Sequence, residues 1–263
     1  MAVTPEQAID AANQVFGRHP GQRALHAKGV VLKGTFESMP GAGALTRAAH
    51  MQRPQTVPAT VRFSNGAGNQ DHDWAPDPRG LAVKLYLPDG SRTDIVAVSS
   101  PVFPTRTPEG FVELIGAQGS GVAAAWKLPL FLARHPEAIR VLPLVTPTLL
   151  PPASYATIPY FGLHAFKWTN GSGESRYVRY ILRPEAGVSR LAPWKARRRG
   201  ADYLQQEIAQ RVASGPVSFT LEVQVAESVD PSRVTDGIEC SDDPVLRFRP
   251  GAYSESIKRR TAG

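Results

Sequence analysis

Strand-length runs bounded by turn residues recur seven times in this chain, and their grouping limits the fold more than any other feature. They cover residues 29–37, 60–64, 81–87, 93–98, 163–169, 175–183 and 217–225. Pro88-Asp-Gly90 marks a turn between the third and fourth, and Asn170-Gly-Ser-Gly173 joins the fifth to the sixth as a hairpin. Four runs precede, and three follow, a helical block over 108–117 and 122–142 and a Pro-rich linker over 142–159. Because helices do not alternate with strands one by one, a parallel doubly wound sheet is excluded. The pattern predicts an α+β chain on an antiparallel sheet or barrel.

Residues 4–17 read as a short amphipathic helix, with Thr4 as N-cap, Pro5 at the first helical position, and Ala8, Ile9, Ala12, Val15 and Phe16 apolar. Residues 203–213 read as a second, and a helix-like tail runs over 243–260. With 263 residues, 42% hydrophobic and 20% charged, the chain has enough apolar material for a sizeable core. A disordered chain, a collagen and a coiled coil are thereby excluded. The single Cys240 excludes an internal disulfide framework and a cysteine-rich zinc module. No signal peptide is read at the N-terminus, and the longest uncharged stretch, 141–166, carries five prolines and His164. The expectation is a cytoplasmic protein with no membrane partner.

The net charge of +7 comes from 23 arginines and 7 lysines against 23 acidic residues. The one dense cluster, Lys195, Arg197, Arg198 and Arg199, reads as a solvated loop and helix start, so no nucleic-acid partner is expected. Arginine also suits planar, paired recognition of buried carboxylates. Short motifs give little. Gly66-Ala-Gly68 is followed by Asp71 where a dinucleotide loop needs glycine, and Asp71-His-Asp73 lacks the spacing of a calcium loop. Six histidines are scattered, with no pair at helical ligand spacing.

Three blocks are more specific. They are Arg23-Ala-Leu-His26-Ala-Lys-Gly29; Arg62-Phe-Ser64-Asn with Asp77-Pro-Arg79-Gly-Leu-Ala-Val-Lys84; and Asp243-Pro-Val-Leu-Arg-Phe-Arg249-Pro-Gly-Ala-Tyr253 with Arg259-Arg260. In order and spacing these resemble the haem-dependent catalase family, above all its short catalase-related peroxidases. The resemblance implies a single haem-binding domain over 1–263: an N-terminal helix over 1–20, an antiparallel catalase-like β-barrel with flanking helices and a helical insertion over 21–227, and a proximal tail over 228–263 with a C-terminal haem-ligating helix.

The resemblance also implies roles. His26 matches the distal acid–base group, which moves a proton between the two oxygens of bound peroxide. Ser64 matches the hydroxyl that holds its other ring nitrogen and so fixes the tautomer. Tyr253 matches the axial ligand of the haem iron, with Arg249 four residues earlier favouring the phenolate. Arg249, Tyr253, Ser256 and Arg260 would share one helical stripe. Arg23, Arg62 and Arg260 match the cations that hold the propionates of haem b, Phe103 and Phe111 match aromatic residues lining the distal side, and Asp77 matches a channel aspartate. Taken singly, each has an ordinary reading as core, turn or solvated surface.

The chain departs from the family pattern in two places. Val98 stands where catalases carry a distal asparagine, which favours a peroxidase cycle with an organic electron donor over disproportionation of hydrogen peroxide. Around 226–232 a strand and loops of the family are missing, leaving seven strands where the family barrel has eight. The predicted function is a haem peroxidase using hydrogen peroxide or organic peroxides and a small organic reductant, with a homodimer expected. The alternatives are a haem carrier or sensor without turnover, a hydroperoxide-rearranging enzyme like allene oxide synthase, and a nucleic-acid-binding protein.

Overall fold

The computed structural model describes residues 3–52, 55–68, 72–117, 122–226, 238–240 and 246–253; for 122–125, 238–240 and 246–253 it describes the backbone path. Helix α1 (Pro5–Phe16) begins as its sequence predicts. Thr4 and Gln7 form a reciprocal capping box, Pro5 supplies a preset φ, and Gly17 ends the helix at φ +84°. The Val3 N–H donates to Glu109 Oε1 at 3.0 Å, which ties the start of the chain to helix α2 (Pro108–Ala117).

Four long strands follow α1: β1 (Gly29–Ser38), β2 (Thr56–Asn65), β3 (Arg79–Tyr86) and β4 (Arg92–Val98). Each pairs antiparallel with the next in unbroken register. In β2 the side chains alternate: Val57, Ala59, Val61 and Phe63 are buried, while Pro58, Thr60, Arg62 and Ser64 take the other face. That period of two decides which face becomes core and leaves the other to carry chemistry.

The predicted helical stretch 122–142 is broken. Helices α3 (Val122–Arg134) and α4 (Pro136–Val145) meet at His135, because Pro136 cannot continue the preceding helix but suits the first position of the next. The second half of the predicted linker 142–159 is core rather than connector: Tyr155, Ala156 and Ile158 are fully buried. Its prolines signalled a loop, but Tyr155 stacks on Phe63 with ring centroids 5.4 Å apart.

Strand β5 (Tyr160–Phe161) was not predicted; β6 (Phe166–Thr169) and β7 (Ser175–Pro184) form the predicted hairpin. The basic cluster falls in and just after helix α5 (Pro193–Arg198), ahead of α6 (Tyr203–Ser214) and β8 (Phe219–Ala226). Two further strands are β9 (Ile238–Cys240) and β10 (Leu246–Tyr253).

Within the tail, Leu246–Tyr253 is a strand where a helix was predicted. Leu246 and Phe248 alternate with Arg247 and Arg249, a period of two, and Pro250 is incompatible with a helix interior. Strand β10 pairs with β1 along its length and with β8 through Leu246–Phe248, so Pro250 lies beyond the β8 ladder and its missing N–H costs no bond there. The register skips Ala252 between Lys33↔Gly251 and Leu32↔Tyr253. The four-residue spacing of Arg249 and Tyr253 is accordingly not a helical turn. Arg260 and the missing stretch at 226–232, apart from Ala226, lie outside the described residues.

The pairing order is cyclic. It runs β7–β5–β4–β3–β2–β1–β10–β8, and β8 pairs with β7 over seven residue pairs. Its shortest links are the single pair Val98↔Phe161, the two pairs of β5 with β7 and the three pairs of β10 with β8. Inside lie Leu32, Phe36, Val61, Phe63, Leu81, Leu85, Phe219 and Val223, all at 1% exposure or less. Phe63 also meets Tyr160 and Phe219 at about 6 Å between centroids. Replacing Phe63 with Ala is expected to cost about 3–5 kcal/mol, as for other large-to-small core substitutions, read as a lowered midpoint in urea unfolding.

Candidate active site

The outer face of β1–β4 carries two adjacent cross-strand rows. One is Gly29, Ser64, Gly80, Val98 and, on β5, Phe161; the other is Val31, Arg62, Ala82 and Val96. A water-facing sheet surface would be polar along both. Here valines and small residues dominate, and Val96 is 66% exposed. Polar residues resume one step along, at Lys33, Thr60, Lys84 and Asp94. The result is a flat apolar strip with Arg62 set in it.

His26 stands at the end of this strip, just before β1. Its φ is +54°, a conformation few non-glycine residues adopt. Surrounding bonds hold it there. The His26 N–H donates to the Gly66 carbonyl at 2.9 Å, Ala27 to Ala67 at 3.1 Å, and Asn65 to Lys28 at 3.0 Å, lacing 26–28 to 65–67. Arg62 Nη2 donates to the His26 carbonyl at 2.6 Å. Asp77 Oδ2 accepts the N–H groups of Gly66 and Ala67 at 2.6 and 3.0 Å and lies 3.3 Å from Arg79. Asp77, expected on the substrate channel, thus clamps the 66–67 backbone to which the His26 segment is laced.

The His26 ring is placed by a missing side chain. A Cβ on Gly80 would lie 2.7 Å from Ser64 Oγ and 2.8 Å from His26 Nδ1, so the imidazole occupies the space a side chain would fill. Nδ1 is 3.0 Å from Ser64 Oγ, the partner the resemblance predicts, and among the described residues Nε2 has no hydrogen-bond partner. Burial, then the nearby Arg62 charge, and further Arg23, lower the pKa of His26 to about 4. The ring is therefore neutral around pH 7.

Arg62 is held below its ordinary pKa by burial and by the Arg23 charge. Among the described residues neither guanidinium has a carboxylate within ion-pair distance. Two adjacent cations beside an apolar strip fit a flat, largely apolar group with acidic substituents, which is the chemistry of a haem with its propionates. Phe103 and Phe111 form one aromatic pair, with centroids 5.4 Å apart and Phe103 44% exposed. Arg179 Nη2 steadies the segment before them by donating to the Pro101 carbonyl at 3.0 Å. Val98 pairs with Gly80, so an apolar side chain occupies the row beside the histidine. Arg249 and Tyr253 are placed by backbone alone, on β10 opposite Thr35 and Leu32.

Behind Ser64 lies a buried polar network that the sequence reading missed. Asp73 Oδ1 lies 2.9 Å from Lys28 Nζ and accepts Asn65 Nδ2 at 2.9 Å, and its Oδ2 accepts the Leu204 N–H at 2.8 Å. The Tyr155 hydroxyl donates to Asn65 Oδ1 at 2.8 Å. Buried Arg79 donates to the carbonyls of Asp73, Ala75 and Asp77. Asp73 carried no legible signal; it belonged to an acidic string rejected as a metal loop.

The family model for catalase matches residues 7–230. The chain belongs to the catalase family. It is 43% identical to a catalase-related peroxidase of Mycolicibacterium paratuberculosis (strain ATCC BAA-968 / K-10), across 98% of this chain and 95% of that one. It is 31% identical to a catalase-related peroxidase of Synechococcus elongatus (strain ATCC 33912 / PCC 7942 / FACHB-805), across 99% and 90%. Among solved structures, catalase A from Saccharomyces cerevisiae superposes with a TM-score of 0.78 at 23% identity, over 90% of this chain and 53% of that one, a likeness of fold. This catalase-family chain thus spans about half the length of the solved catalase. The alignment to the first relative runs over 299 positions, so at least 36 of them face gaps in a chain of 263 residues.

Two outcomes follow from the His26 geometry. In Gly80→Ala the displaced ring is expected to titrate nearer the ordinary 6.5 than about 4, read by NMR of the imidazole protons. In the unsubstituted protein, the contribution of neutral His26 to stability is present above pH 6.5 and lost as the pH falls through about 4. Unfolding midpoints of the protein and His26→Gln should therefore converge as the pH is lowered through that window.

Proposed function

We propose that this chain is a haem-dependent peroxidase, reducing hydrogen peroxide or an organic hydroperoxide at the expense of a small organic electron donor, with weak or no disproportionation of hydrogen peroxide. The observation that carries the reading is His26: neutral by burial, anchored through Nδ1 at Ser64, and set at the edge of an apolar strip flanked by two arginines that have no carboxylate partner among the described residues. The names of the two catalase-related peroxidases support it.

In this reading Arg23, Arg62 and Arg260 hold the propionates of haem b, Tyr253 ligates its iron, and Arg249 favours the tyrosinate. Haem supplies the two-electron reduction of the O–O bond. The protein supplies proton control. With Nδ1–H directed at Ser64, Nε2 presents a lone pair that takes a proton from one peroxide oxygen and delivers it to the other, so the leaving oxygen departs as water. Val98 offers no hydrogen bond to peroxide beside the base, which is why a donor rather than a second peroxide completes the cycle. Phe103 and Phe111 border the distal side, and Asp77 combines its clamp with a place on the substrate channel. The reading also takes the cytoplasm as the place of action, a homodimer as the assembly, and neither nucleic acid nor membrane as a partner.

A haem carrier without turnover is the second reading, favoured by the gap of at least 36 aligned positions and by the strand conformation of the tail. Haem-loaded protein separates the two. His26→Ala is expected to lower peroxide-dependent donor oxidation by about 10²–10⁴-fold, the usual worth of a positioned acid–base group, while haem absorbance is retained. Tyr253→Phe is expected to change the visible spectrum. Unsubstituted protein that holds haem but oxidises no donor supports the carrier; His26→Ala with full turnover overturns the role given to His26.

A further inference from the structure

The basic cluster that the sequence reading left as solvated surface borders a cavity of about 520 Å³ lined by Trp74, Pro193, Trp194, Arg197 and Arg198. Its volume lies within the usual range for small-molecule sites, roughly 300–1,000 Å³. Trp74 follows Asp73, and His72 stacks on its ring with centroids 4.0 Å apart. Arg197 lies 5.8 Å from the Trp74 ring centroid. Trp194, in the first turn of α5, is 64% exposed, a large indole left open at the rim. Among the described residues neither Arg197 nor Arg198 has a carboxylate within ion-pair distance.

The open Trp194 indole favours a flat aromatic ring, with Trp74, already stacked by His72, as an apolar wall; two guanidiniums with no acidic partner among the described residues favour an anionic substituent on that ring. One lining residue, Trp74, is also the chain neighbour of the histidine's support. Asp73, the neighbour of Trp74, holds Asn65, which directly follows Ser64. We propose that this cavity binds a planar aromatic carboxylate and, resting here on the peroxidase reading, that a phenol bearing such a carboxylate is the organic reductant. Each of two phenols gives up one electron and one proton and leaves as a phenoxyl radical. The O–O bond of one hydrogen peroxide takes up the two electrons and two protons and leaves as two waters.

The test uses 4-hydroxycinnamate as probe, with cyclohexanecarboxylate and 4-hydroxybenzyl alcohol as controls lacking the ring and the charge. Isothermal titration of haem-loaded protein is expected to show saturable binding of 4-hydroxycinnamate, weakened at least tenfold in Trp194→Ala and in Arg198→Gln, with both controls at least tenfold weaker. In turnover, the KM for 4-hydroxycinnamate should rise by a similar factor in both variants, while oxidation of the uncharged alcohol and the KM for peroxide stay unchanged. Absence of saturable binding, or binding indifferent to both substitutions, overturns the site. If binding fails while the uncharged phenol is still oxidised, the peroxidase reading stands without this site. If binding behaves as expected and no phenol is oxidised, the site stands, and the reductant role falls with the peroxidase reading.

Discussion

One buried carboxylate holds together the parts of the chain that present the histidine. Asp73 is fully buried and joins Lys28 ahead of β1, Asn65 at the end of β2 and the first turn of α6. A charge in that position is tolerated only because every contact is an N–H donor or an ammonium group. Removing it would take one charge partner from the Lys28 ammonium, which also meets Asp202 at 2.8 Å, and the acceptor from the Asn65 amide. Breaking one side of a buried pair usually costs about 3–5 kcal/mol. Here that cost would fall on the three segments that aim Ser64 and His26.

The sheet divides its labour by face. Inward positions of β1–β4 are filled by Leu32, Val61, Phe63 and Leu81, and their packing fixes the register. Once the register is set, the outward rows have no freedom: Ser64 stands opposite Gly80, and Gly80 opposite Val98. A slip of one residue would send Phe63 outward and Ser64 into the core. The precision of the site is thus inherited from a core that takes no part in its chemistry. Asp77 and Arg79 extend the same discipline to the loops, where no ladder is present to impose it.

Much of this was legible in the sequence for stated reasons. Strand-length runs between turn residues located β1–β4, Thr4 and Pro5 announced α1, and Asn170-Gly-Ser-Gly173 announced the β6–β7 hairpin. His26 and Ser64 were picked out by resemblance and meet at 3.0 Å. The failures also have causes. Prolines at 143, 147, 151, 152 and 159 suggested a solvated linker, yet tertiary packing drew Tyr155 and Ile158 into the core. In the tail, a four-residue spacing of polar groups was taken for a helical stripe, although Pro250 and the alternation beside it favour a strand. The network joining Asp73 and Asn65 was not legible, because partners 28, 155 and 204 are remote in sequence and a buried carboxylate has no local signature.

The left-handed backbone at His26 sets stability against chemistry at a single residue. A non-glycine residue there stores strain of order 1–3 kcal/mol, and glycine would release most of it. The imidazole must also give up its hydration to remain neutral against two guanidiniums. Selection for thermal resistance alone would therefore favour glycine at position 26, relaxing the backbone at the loss of the imidazole that meets Ser64. A histidine in so strained a backbone thus trades fold stability for an imidazole held at Ser64.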